Sequence, residues 1–268
     1  MKNKIIKKVQ APIKQLNSII ESGSIDSAKF DMNMLMQMGM FVLRDCFKTS
    51  VIEEYYEEYK KYKNSPEFER TKLHLTEVKI SDNNLMRQIL KHPEFKKLVG
   101  EFFMGNVGLY NFRVVKKDLE DIAPVFLHQD IGYHIGSFDR YSLFIPLSLC
   151  NEGNGGLKLY PATHKFGYLG DVGEINDFLP VEYPRLIPET FPGDCIIMHS
   201  ALWHSSGPNV TGTERIYLDI IIQDANEPST KEVIIGAKES SWSLHLSNEE
   251  IFKNSRSQKL KSLYKKIN

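Results

Sequence analysis

From about residue 107 the chain breaks into short β-forming runs, and this texture constrains the fold more than any other feature of the sequence. The runs cover 107–115, 141–149, 156–160, 194–199 and 215–223. Turn-forming residues separate them, most plainly Asn151-Glu-Gly-Asn-Gly-Gly156. Helical patterns do not alternate with the runs, which argues against a parallel β-α-β plan. A sandwich or barrel is expected instead.

The flanks read differently. Ile5, Ile6, Val9, Ile13, Leu16, Ile19 and Ile20 have the spacing of an amphipathic helix with Pro12 as a bend point. Charges interrupt this stretch throughout, so it is not read as a signal core or a membrane span. Its apolar stripe is expected to pack on its own domain. Met32, Met34, Met36, Met38 and Met40 alternate along one segment and are read as gap-filling core residues. Gly39-Met-Phe-Val-Leu-Arg-Asp45 reads as a short strand. Ser50-Val-Ile-Glu53 reads as a capping box that opens a helix to about Tyr62. Residues 82–104 look helical, and Ser247-Asn-Glu-Glu250 would cap a last helix to about Lys265. The plan is one domain over 1–268: a helical part (1–105), a β-core (about 106–225) and a helical tail (226–268), mainly β with flanking helices.

Charge narrows the partners. Lys plus Arg and Asp plus Glu number 34 each, so no cationic excess favours nucleic acid. No membrane partner is expected either. Cys46, Cys150 and Cys195 are widely spaced, without a Cys-x-x-Cys pair, and read as reduced thiols of a cytoplasmic protein.

His128-Gln-Asp130 places an imidazole and a carboxylate two residues apart, hence on one face of a strand. Taken alone it is a weak signal. It gains weight from His204, which follows the 194–199 run, and from Arg215 eleven residues later at the start of an apolar strand. Two histidines and a carboxylate on one face of iron(II) leave three coordination positions for co-substrate and oxygen. A guanidinium aimed into a barrel clamps a carboxylate in bidentate fashion. 2-Oxoglutarate has that carboxylate at its far end, while its keto-acid end chelates iron. Ser206, two residues from His204, could share the bonding of the distal carboxylate.

With Gly156-Leu, Pro161-Ala-Thr-His164, Gly193-Asp194, Asn209 and Gly39–Asp45, these motifs resemble the phytanoyl-CoA dioxygenase family in order and spacing. The resemblance implies a double-stranded β-helix, a cupin-like jelly-roll barrel. It implies that His128, Asp130 and His204 hold Fe(II), that Arg215 and Ser206 anchor 2-oxoglutarate, and that O2 is the second co-substrate. Phe144 stands where the human-type enzyme has tryptophan. Upstream of His128, Tyr110, Asn111 and Lys116 are candidates to touch the co-substrate, and Asn111 is preferred on polarity.

The expected reaction is hydroxylation of a small molecule at an unactivated carbon, with release of succinate and CO2. A natural-product intermediate or a sugar derivative would suit. The rival readings are another cupin-type metal enzyme and a non-catalytic jelly-roll binding protein. The remaining candidates each have two readings. His199 is a rival ligand or a hydrogen-bonded core residue. His164 supports the site or holds a turn. Tyr133 and His134 line the substrate mouth or fill a loop. Asp219 binds substrate or pairs with an internal base, and Trp203 is read as core. His74, His92 and His245 are read as surface or packing residues.

Overall fold

The computed structural model describes residues 2–64, 76–79, 84–120, 122–134, 136–168 and 179–238. The expected tail helix, His74 and His245 lie outside the described residues. The helices are α1 (Lys2–Glu21), α2 (Met32–Met38), α3 (Thr49–Lys63) and α4 (Pro93–Val99). The strands are β1 (Asp26–Ser27), β2 (Met40–Leu43), β3 (Thr76–Lys79), β4 (Val107–Lys117), β5 (Val125–His128), β6 (Tyr141–Pro146), β7 (Leu157–Leu159), β8 (Cys195–His199), β9 (His204–Ser206), β10 (Arg215–Asp224) and β11 (Glu232–Ile235).

The large sheet has the order β1-β2-β8-β6-β10-β4-β11, with β3 also on β4; the small sheet has the order β5-β9-β7. All these pairs are antiparallel except β1 with β2. Among the described residues, strand pairing does not continue from one sheet into the other. The expected mainly-β jelly roll is thus present as two facing sheets that do not join into a closed barrel.

Strand alternation sorts the residues of β10. Ile216, Leu218, Ile220 and Ile222 face the helical layer and pack with Ile52, Tyr59, Met86 and Phe95. Tyr217 faces the small sheet and packs with Val42, Phe144, Ile196, Leu157 and Leu159. Both faces are covered, so β10 is buried nearly throughout. Arg215 and Asp219, in phase with Tyr217, are thereby carried into the space between the sheets.

Local sequence explains several boundaries. Asp31 caps α2 by accepting from the amides of Asn33 and Met34 at 2.9 and 3.2 Å. Gly39 ends α2 at φ 72°. A Cβ there would also lie inside the His164 ring, so both conformation and space require glycine. Met38 and Met40 fill the core, whereas Met36 is 55% exposed. On α1, which runs on through Pro12, Leu16 is buried and Ile19 and Ile20 pack on the inner core.

Two expectations are corrected. Ser50 does not cap α3: the helix starts at Thr49, after an extended Lys48 that makes no side-chain cap bond. Residues 84–105 are not one helix but a 3-10 turn (Leu85–Lys91), α4 and a second 3-10 turn (Phe103–Gly105). Pro93 causes the break. It forces His92 into an extended conformation, and the His92 ring then caps α4 by accepting from the Glu94 amide.

Candidate metal centre

His128 and His204 sit directly opposite one another on antiparallel β5 and β9. Their ring centroids are 4.1 Å apart. Gln129 keeps an extended backbone, so Asp130 returns to the face of His128 although the strand ends there and a 3-10 turn begins. Gln129 points the opposite way. Its buried amide donates to the Gly167 and Ala201 carbonyls, both at 2.7 Å, and fixes the segment from behind.

Nδ1 of His128 lies 2.7 Å from the Phe126 carbonyl, and Nδ1 of His204 lies 3.0 Å from the Leu202 carbonyl. Nδ1–H donating to those carbonyls leaves each Nε2 as a lone-pair donor. The two Nε2 atoms stand 3.5 and 3.7 Å from Asp130 Oδ1. Ligand atoms from all three residues fall within 4.8 Å of one another. Asp130 Oδ2 is buried without a hydrogen-bond partner, an anionic acceptor that a cation would satisfy. The donor set and this orphaned oxygen fit a divalent metal of the iron(II) type.

The charge states suit ligation. Burial works to raise Asp130, but His204 and His128 hold it well below the usual carboxylate range. Burial, reinforced by His128, pushes His204 down to about 4. Burial also opposes protonation of His128, but the hydrogen bond and charge of Asp130 outweigh it and raise that group. Near neutrality the centre thus offers a carboxylate and at least one neutral imidazole.

Ser206 shares the face of His204 on β9, about 6.7 Å along the strand. Its Oγ accepts from Lys117 Nζ at 2.8 Å. Lys117 in turn is the register partner of Arg215 across β4 and β10, and all three residues are buried. A cationic end therefore lies one strand step from the metal end. Asn111 is not brought to it. It lies six residues along β4 from Lys117, opposite Ile221, and its Oδ1 accepts from Lys231 at 3.0 Å. Lys116 also points away, onto Asp118 on the other side of β4.

The other candidates find places. Asp219 pairs with Arg113, its register partner, at 2.5 Å. His199 belongs to a different cluster: its Nδ1 accepts from the Ala201 amide at 3.0 Å, and its Nε2 is 3.5 Å from Asp139. His164 packs on Gly39, with Nε2 3.1 Å from the Met36 carbonyl, and does not reach the triad. His199 and His164 line a cavity of about 630 Å³ with Tyr141 and Tyr168, a cavity that none of the triad residues lines. Tyr133, half exposed, stands 6.1 Å from the His128 ring, and His134 lies against Tyr110 at 4.9 Å. Phe144 meets Tyr217 edge-on at 5.7 Å, and Trp203 is buried against Phe166.

Gly193-Asp194 is structural. Gly193 accepts from the Phe47 amide, and Asp194 ties Arg44 and the amides of Asp45 and Phe191. Cys150 and Cys195 are buried, Cys46 is partly exposed, and all three are free thiols. Sequence reasoning missed Lys117, Arg113 and Gln129. The signal for the first two was the alternation of 113, 115 and 117 against 215, 217 and 219.

Fold and site together define a jelly-roll protein with a two-histidine, one-carboxylate candidate metal centre. The phytanoyl-CoA dioxygenase (PhyH) family model matches residues 35–217, and the chain belongs to that family. Among the described residues, His128, Asp130 and His204 form a group that could hold a metal ion. No curated protein matches the chain. Among solved structures it is similar to the non-haem α-ketoglutarate-dependent epimerase SnoN of nogalamycin biosynthesis (20% identity, TM-score 0.62, 72% of this chain and 81% of that one). It is also similar to the carbocyclase SnoK of the same biosynthesis (13%, 0.58, 73% and 83%). A third is EvdO2 of Micromonospora carbonacea var. aurantiaca, complexed with 2-oxoglutarate (17%, 0.62, 81% and 98%). No described helix is long and apolar enough to cross a membrane.

Proposed function

We propose that this protein is an Fe(II)- and 2-oxoglutarate-dependent oxygenase that hydroxylates a small molecule, with His128, Asp130 and His204 as iron ligands and Arg215 and Ser206 as co-substrate anchors. The observation that carries this reading is the opposition of His128 and His204 in strand register, with Asp130 Oδ1 facing both Nε2 atoms. Bound iron and 2-oxoglutarate supply an oxidant strong enough to attack an unactivated C–H bond, with release of succinate and CO2.

The protein's own contribution is placement. The Phe126 and Leu202 carbonyls fix the two imidazoles, and Gln129 fixes the backbone between His128 and Asp130. Arg215 holds a distal carboxylate one strand step from the ligands. Tyr133 and His134, in the turn after Asp130, line the entrance for substrate. Epimerisation or ring closure is the second reading, favoured by the fold likeness to SnoN and SnoK. All three outcomes begin with hydrogen abstraction at a positioned carbon and differ in the fate of that carbon. A natural-product intermediate or a sugar derivative fits as substrate.

The test is succinate release from 2-oxoglutarate with iron(II) and ascorbate. Turnover that is lost in Asp130→Ala supports the reading. No succinate, together with no thermal shift from metal and 2-oxoglutarate, refutes it.

A further inference from the structure

The cavity lined by His199 and His164 is separate from the metal centre, and Gln129 marks the boundary. Its side chain points away from His128 and Asp130, and its amide donates to the carbonyls of Gly167 and Ala201, two residues of the cavity wall. The Ser200 carbonyl, between His199 and Ala201, accepts from the Ile131 amide at 3.0 Å. One layer of backbone thus divides the cavity from the segment that carries the metal ligands. Among the described residues, no member of the triad lines it.

Its size and lining are those of a small-molecule site. The volume of about 630 Å³ falls within the roughly 300–1,000 Å³ of ligand pockets, which are mostly apolar with a few placed polar groups. Met36, Phe138 and Tyr168 line it and are 55%, 59% and 36% exposed. Three large apolar side chains left in water around one opening mark a binding surface. Tyr141 is a buried wall, its ring edge-on to His199 at 5.2 Å.

The His199 tautomer decides the charge of the site. Nδ1 of His199 accepts from the Ala201 amide at 3.0 Å, so its proton is on Nε2, 3.5 Å from Asp139 Oδ1. Burial lowers both His199 and His164, so neither ring is a cation near neutrality. A neutral imidazole donates to the Asp139 carboxylate without cancelling its charge. Asp139 is the only acid among the described residues that line the cavity, and no lysine or arginine joins it there. Its side chain is 77% exposed and stands at the rim, where an incoming group meets it. The aromatic walls add to the attraction, because the face of a tyrosine or phenylalanine ring draws a cation. An anionic rim over an aromatic interior complements a protonated amine carried on a planar apolar ring.

We propose that this cavity is a second small-molecule site, which takes an aromatic amine with its ring among Phe138, Tyr141 and Tyr168 and its ammonium on Asp139. The site stands independently of the iron chemistry, since none of the triad residues belongs to it.

The experiment titrates the metal-free full chain calorimetrically with tryptamine, with phenethylamine and with tryptophol, the neutral alcohol that has the ring of tryptamine without its ammonium. The amines are expected to bind with dissociation constants of about 0.1–1 mM, the range for ligands of this size. Tryptophol is expected to bind about three- to tenfold more weakly than tryptamine, the worth of an exposed charge contact beside an aromatic ring. Asp139→Asn should abolish that preference and leave the tryptophol affinity within about twofold of wild type. Phe138→Ala should weaken tryptamine and tryptophol alike, by about three- to tenfold. Both positions are exposed, so both variants are expected to fold. Loading the protein with Mn(II) and 2-oxoglutarate should leave the tryptamine affinity unchanged. Three results overturn the proposal: no binding by either amine up to about 10 mM, an amine preference that survives Asp139→Asn, or loss of tryptamine binding on loading, which places the amine at the metal centre instead. The metal-free titrations decide the matter whether or not the oxygenase reading holds.

Discussion

Replacing Asp130 by alanine should separate the stability of the fold from the capacity of the centre. In the metal-free protein two effects oppose each other. The change removes an ionised carboxylate 3.5 and 3.7 Å from two imidazole nitrogens, which is destabilising. It also removes a buried oxygen without a hydrogen-bond partner, which costs about 1–3 kcal/mol while it persists. The net change should stay within about 1 kcal/mol, or about 2–4 °C in Tm for a chain of this size. Metal binding behaves otherwise. At a metal concentration 100 times Kd, the wild type gains about 2.7 kcal/mol, a shift of about 5–10 °C. Loss of a direct ligand should weaken Kd about a thousandfold, more than the 10–100-fold typical of an outer-shell partner. The same metal concentration is then about a tenth of Kd, and the gain falls below about 0.1 kcal/mol. Melts with and without Mn(II), with calorimetric titration of the metal, measure both quantities. A variant that keeps more than half of the metal-dependent shift refutes Asp130 as a ligand. A metal-free variant that melts more than about 10 °C lower shows instead that the carboxylate serves the fold.

Three further outcomes are expected. Arg215→Ala should raise the 2-oxoglutarate concentration needed for succinate release about a hundredfold, with metal affinity unchanged; an unaltered requirement removes Arg215 as anchor. Gly39→Ala should lower the unfolding free energy by about 2–4 kcal/mol in urea titrations, because position 39 needs φ 72° and a Cβ would meet the His164 ring. Stability should also depend on acid. Burial, aided by His199, pushes His164 down to about 4, against about 6.5 in an unfolded chain. Between those values the unfolded chain binds a proton that the folded one does not. The contribution is therefore complete above pH 6.5 and is lost as pH falls toward 4, by about 1–2 kcal/mol after discounting for partial exposure. Urea melts at pH 7, 5.5 and 4.5 should show that decline, with a shallower slope in His164→Gln.

The sequence by itself determined the class of fold and most of the chemistry. Turn-separated β runs exclude a β-α-β plan, and two-residue alternation puts His128 with Asp130 and Arg215 with Asp219 without any structure. Local rules could not decide which strands face each other. Asn111 was preferred on polarity, yet it stands six residues along β4 from Lys117, with its Oδ1 bonded to the ammonium of Lys231. Only the β4–β10 register sets Lys117 against Arg215. In the same way, His128 and His204 are far apart in the chain and meet because β5 and β9 pair at those two positions. The reason is physical. Side-chain direction within a strand repeats every two residues and is fixed by the local backbone. Which residue lies across from which depends on hydrogen bonds between distant segments, where a slip or bulge of one residue exchanges the inner and outer faces.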